Sequence, residues 1–194
     1  MERGEMSDPF LIVTGVRDER RAMAESLKSA LQQRQNTVYS RPEFGDERTR
    51  FRDALAQLIR SEAARYRQAS RVTDAEHCEA IRRISDGLSI RYGHIFLTKR
   101  RFRYGTAQKA LNLYLKFLWR LGQLGSGKPP HCPVDGVVLK AARLAGMWTH
   151  SDDQQEYMRW IEGIRKVASP LDLADWEYGI WQRQQIVPTS TRCG

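Results

Sequence analysis

The 194-residue sequence has no apolar run approaching the roughly 20 residues of a membrane-spanning helix, so no such helix is expected. Its cysteines are few: Cys78, Cys132 and Cys193, an odd number at wide spacing, define neither a disulfide framework nor a four-ligand metal site. His77 beside Cys78 is too isolated to suggest a metal. Alternating β-branched runs are nearly missing. The one strand-like candidate, Phe10-Leu11-Ile12-Val13, is too short and solitary to build a sheet. The stretch from Met1 to Pro9 carries acidic residues and no signal-peptide core, which gives a cytoplasmic expectation. There is no internal repeat and no low-complexity tract.

What is present is the composition of a globular chain, 41% hydrophobic and 28% charged. Residues 1–194 are read as one domain and, in the simplest case, as a monomer. The 32 Lys and Arg against 23 Asp and Glu leave a net charge of +9, which favours a polyanionic partner such as nucleic acid or an acidic membrane surface. A basic but inert surface is the bland alternative.

Apolar residues recur every three or four positions, and the fold class expected is all-α, a compact array of about seven helices. The helices are placed at 17–34, 46–69, 73–93, 106–122, 134–146, 153–168 and 171–184. Thr73 with Glu76 has capping-box spacing, Ser151 precedes Asp152 and Asp153, and Ser169-Pro170 can open the last helix. The segments Asn36 to Gly45 and Gly122 to Pro133 break the helical pattern, and the tail after Val187 is expected to fray.

Three features in succession between residues 99 and 139 set that region apart. Lys99-Arg100-Arg101-Phe102-Arg103 surrounds one ring with four positive charges and runs into Tyr104-Gly105. Such a run can contact successive phosphates, with Gly105 letting the backbone approach closely, or it can be a solvated loop. Next comes a helix apolar around most of its circumference and therefore expected in the middle of the fold. On it Lys109, Asn112 and Lys116 form, at about 100° per residue, one narrow polar stripe that either faces water or lines a cleft. In a desolvated cationic cleft a lysine is driven toward the neutral, nucleophilic amine, and the two lysines can create that environment for each other. Last, Pro129-Pro130-His131-Cys132-Pro133-Val134-Asp135 is a rigid loop ending at a carboxylate in the first turn of an apolar helix. Asp135 there is either a cap alone or a preorganised carboxylate facing the lysine stripe.

Gly105-Thr106-Ala107-Gln108-Lys109, with Lys116 seven residues on, a Pro-rich loop and then Cys132-Pro133-Val134-Asp135, resembles the active-site region of helix-hairpin-helix DNA glycosylases, in particular their archaeal 8-oxoguanine branch. The resemblance covers about residues 100–145; the family's Leu-Pro-Gly-Val-Gly hairpin is absent. The Gln-Lys-Ala-Leu-Asn-Leu-Tyr-Leu-Lys block and the late Trp176-Glu177-Tyr178 also look like small bacterial antiphage proteins that excise glucosylated hydroxymethylcytosine from phage DNA.

The resemblance implies a helix-hairpin-helix-like fold and a base-excising enzyme on double-stranded DNA, working without a cofactor. Lys109 matches the family's attacking lysine, with Lys116 in reserve, and Asp135 its carboxylate, which stabilises charge on the sugar or positions a water. A flipped base needs an aromatic pocket, for which Asn112, Tyr114, Trp119, His131 and Trp148 are candidates. The phosphate grip falls to Lys99, Arg100, Arg101, Arg103, Gly105 and Lys128. A non-enzymatic DNA-binding module is the alternative function, and a protein-interaction domain using the Trp-rich C-terminal half is a further one.

Overall fold

The computed structural model describes residues 8–32, 38–40 and 45–186. Among the described residues eight α-helices follow one another: α1 Pro9–Thr14, α2 Glu19–Leu31, α3 Gly45–Gln68, α4 Asp74–Tyr92, α5 Tyr104–Arg120, α6 Gly136–Ala141, α7 Gln154–Ala168 and α8 Leu173–Ile186. A short 3-10 turn, Thr98–Arg100, precedes α5. Among the described residues the only β pairing is an isolated bridge between Tyr39 and Leu97, so the chain is all-α there. Cys193 and the tail after Val187 lie outside the described residues, as does most of Asn36 to Gly45.

The hydrophobic pattern explains the layout. α5 buries almost its whole surface, from Tyr104 to Leu118, because its sequence offers apolar side chains in every direction. It is the central rod: α2 lies along it, and α1, α3 and α4 also pack on it. α7 and α6 meet α8 on the remaining side. The result is one continuous core in which Ile59, Ile81, Leu111, Leu115, Leu118 and Ile161 are fully enclosed.

Local chemistry sets most helix ends. Thr73 and Glu76 form the reciprocal capping box expected from their spacing. α7 starts from Asp153, whose side chain accepts from the Gln155 amide. Ser151 does not cap it; its carbonyl is taken by the Gly105 amide at 3.0 Å.

Three expectations need correction. Phe10 to Val13 is helical: Asp8 caps it, Pro9 opens its first turn, and Gly15 closes it at φ 66° in the left-handed region. α6 ends at Ala141, well before residue 146, because Arg143 turns to φ 57° and Gly146 to φ 146°. α8 begins at Leu173, and the Asp172 carboxylate, accepting from the Asp175 amide, does at its start what Ser169-Pro170 was expected to do.

Candidate active site

Asp135 is the residue before α6, with extended backbone, and its Oδ1 accepts from the amides of Val137 and Val138, each at 3.0 Å. This satisfies two of the donors that a helix start leaves open. Its other oxygen, Oδ2, meets Lys109 Nζ at 2.5 Å. Burial alone would raise the Asp135 pKa, but the Lys109 charge and hydrogen bond, with the two amides, outweigh it and hold the carboxyl below its ordinary value.

Nearly two turns further along α5, Lys116 Nζ pairs with Glu177 Oε2 of α8 at 2.6 Å. Burial lowers the Lys116 pKa most, the Lys109 charge adds to this, and Glu177 pulls part of it back. The ammonium also lies 4.4 Å from the Phe10 ring centroid.

Both pairs line one cavity of about 210 Å³. Phe10, Leu113, Phe117 and Trp181 form apolar walls, while Thr14, Glu25, Ser29 and Gln184 add polar groups. Phe10 stacks on Phe117 at 4.8 Å and meets Trp181 edge-on at 4.9 Å. The cavity therefore combines an aromatic wall with three carboxylates, those of Asp135, Glu177 and Glu25, and two ammonium groups. That arrangement can hold a flat apolar ring, exchange protons at its edge and stabilise a developing positive charge.

The polar stripe on α5 divides. Lys109 and Lys116 turn into the cavity, whereas Asn112 is fully buried on another side, donating to Cys132 O at 3.1 Å and to Tyr157 Oη at 3.0 Å. His131, also fully buried, joins that second network: its Nδ1 lies 2.8 Å from Tyr157 Oη and its Nε2 3.0 Å from Asp74 Oδ1. Trp119 sits under Arg120 and beside Tyr178, and Tyr114 gives its hydroxyl proton to Glu19. Trp148 packs against the core near the start of α5. Asn112, Tyr114, Trp119, His131 and Trp148 are thus all away from the cavity lining.

The basic residues divide as well. Lys99 and Arg100 are exposed and, among the described residues, make no ion pair. Arg101 is held by Asp86 at 2.7 Å and Asp152 at 2.6 Å, and Arg103 is buried, donating to Thr149 O at 2.8 Å. Lys128 bridges Asp172 and Asp175. Gly105 is sealed in: a Cβ there would stand 1.8 Å from the Trp148 carbonyl oxygen. Its missing side chain admits the 148–151 turn rather than a phosphate. Lys140 and Arg143, exposed in and just beyond α6, lie close in sequence to Asp135 and were not singled out by any motif.

Sequence reasoning also missed Glu177, Trp181 and Phe10. Each meets Lys116 from more than 60 residues away in the chain, and only Glu177, a carboxylate in an aromatic-rich helix, carries a local signal. Comparison of the chain with protein-family models, with characterised proteins and with solved structures finds no match to any of them.

Proposed function

We propose that the protein is a DNA N-glycosylase that takes a modified base into the cavity between α1, α2, α5, α6 and α8. The observation that carries this reading is the Lys109–Asp135 contact at 2.5 Å on the wall of an aromatic-lined cavity. An amine and a carboxylate side by side are the groups that cleavage of a glycosidic bond to a deoxyribose requires. The cavity is smaller than the roughly 300–1,000 Å³ clefts of drug-sized ligands, a scale suited to a single ring system.

In the reaction, the Lys109 ammonium gives a proton to the departing base, and the freed Nζ lone pair forms a bond to the sugar C1′ as the C1′–N bond breaks and its electron pair leaves with the base. Asp135 stays ionised throughout. Until the new bond is complete, positive charge on the sugar faces the carboxylate. Lys116 and Glu177 form the floor against which the base edge rests. Thr14, Glu25, Ser29 and Gln184 offer hydrogen bonds to an appendage such as the sugar of glucosylated hydroxymethylcytosine.

The test is release of free base from duplexes carrying normal bases, 8-oxoguanine or glucosylated hydroxymethylcytosine. Base release that Asp135→Asn abolishes, with borohydride trapping that Lys109→Ala abolishes, is the expected result. Release without trapping would make Asp135 the activator of a water. DNA binding without release from any substrate would leave a DNA-binding module.

A further inference from the structure

Gln108 is fully buried in the first half of α5, and nothing in the reaction above uses it. Its side-chain amide is engaged at both ends with one residue: Nε2 donates to Val134 O at 2.6 Å, and Oε1 accepts from Val134 N at 3.1 Å. Oε1 also accepts from Asn112 Nδ2 at 3.1 Å, which in turn donates to Cys132 O. A stretch without regular structure, such as Gly122 to Asp135, has no ladder or helix to satisfy its backbone. Here side chains of α5 supply what a neighbouring strand would.

The placement matters because Val134 directly precedes Asp135 and Gln108 directly precedes Lys109. α6 fixes one side of the Asp135 carboxylate through the Val137 and Val138 amides. The backbone leading into Asp135 is fixed from the other side by Gln108. One turn of one helix therefore carries both the amine and the anchor of its carboxylate.

We propose that Gln108 is a positioning residue that sets the Lys109–Asp135 contact by gripping both backbone groups of Val134. The catalytic consequence rests on the glycosylase reading; the geometric part stands without it. A planar group with one donor and one acceptor at this reach is required. Glutamate keeps an acceptor for the Val134 amide but presents no donor to its carbonyl, and methionine keeps the volume with neither.

The experiment compares full-length wild type, Gln108→Met and Gln108→Glu by two readouts. The first is the titration of the Asp135 carboxyl carbon by NMR. The charged groups facing that carboxylate across the cavity are Lys109 and Lys116 of α5, Glu177 of α8 and Glu25 of α2. In wild type Asp135 titrates below the ordinary carboxyl value. In both variants its midpoint is expected to rise by about one pH unit as Lys109 and the carboxylate drift apart. The second is single-turnover base release from saturating duplex carrying 8-oxoguanine or glucosylated hydroxymethylcytosine. It is expected to fall on the order of 100-fold with DNA affinity unchanged, the loss a displacement of about 1 Å produces. Asp135 titrating as in wild type in either folded variant overturns the proposal. So does loss of cooperative folding in both variants, which would assign Gln108 to the fold at large. Wild type that releases no base from any substrate sinks the glycosylase reading alone, and the titration still decides the positioning role.

Discussion

Lys116 and Glu177 meet at 2.6 Å with 3% and 11% of their side chains exposed, joining the central helix to the last one across the cavity floor. A charge pair this enclosed is held in place by the desolvation each member would suffer alone. Lys116→Met is expected to destabilise the protein by about 3–5 kcal/mol, because Glu177 is left buried without its partner. Adding Glu177→Leu should recover most of that loss. Urea unfolding of both variants is the check, and a double variant no more stable than the single one would contradict the account.

Asp135 has two duties that one pair of substitutions separates. Asp135→Asn keeps an oxygen for the Val137 and Val138 amides and loses the charge and the acceptor that face Lys109. Asp135→Ala loses the cap too, and should be less stable than the Asn variant by about 1 kcal/mol. Both should slow base release by on the order of 100-fold or more. Thermal unfolding and single-turnover assays run together distinguish the two duties.

Acid is expected to weaken the fold before it titrates the carboxylates. Burial holds His77 well below its ordinary pKa, helped by the His131 charge and opposed by Asn112 and Asp74. Burial lowers His131 too, with Asp74 restoring part. The unfolded chain takes up these protons near pH 6.5 and the folded one does not. Their contribution is therefore complete above about pH 6.5 and lost as pH falls toward the folded values, by up to about 1.4 kcal/mol per unit for each ring. Asp74, whose carboxyl is held far down by His131 and Arg165, withdraws its own contribution only in stronger acid. A urea midpoint that falls between about pH 7 and pH 5, and falls less in His131→Gln, is the expected record; a flat midpoint would rule it out.

Gly105→Ala places a methyl group where the Trp148 carbonyl oxygen stands. The 148–151 turn must move away from α5, at about 1–3 kcal/mol, and a melting temperature equal to wild type would contradict the packing described.

Cations without carboxylate partners should govern DNA affinity, and cations already paired should not. Replacing Lys140 and Arg143 by alanine is expected to reduce the salt slope of duplex binding by roughly 2, at about 0.9 per phosphate contact. Lys128→Ala should leave the slope unchanged, since its charge already serves Asp172 and Asp175. Filter binding or anisotropy across a salt series reads both.

What was legible in the sequence was mostly local. The all-round apolar character of residues 108–119 announces the buried rod α5, and Thr73 with Glu76 announces the start of α4. The two-residue heart of the site, Lys109 with Asp135, follows from a lysine on that rod and a carboxylate at the end of a stiff loop. What was not legible depends on partners far along the chain. Asn112 shares a stripe with the lysines on a helical projection, yet Cys132 and Tyr157 draw it into a different network. Arg101 and Arg103 read as a phosphate grip because Asp86, Asp152 and the Thr149 carbonyl, which occupy them, are 15 to 51 residues away. In α1 the β-branched Ile12 and Val13 suggest a strand, but Asp8, Pro9 and Gly15 around them hold the stronger local signal.

The two lysines of the cavity are matched by carboxylates, and Glu25 adds a third acid to its lining. Lys109 stands against Asp135 and Lys116 against Glu177, inside a protein whose sequence carries a net +9. A phosphate is drawn to the outside of such a molecule and finds no surplus of positive charge within; an uncharged heterocycle meets no penalty on either count. On the glycosylase reading proposed above, this distribution of charge would keep a nucleotide's backbone at the surface and admit the base alone.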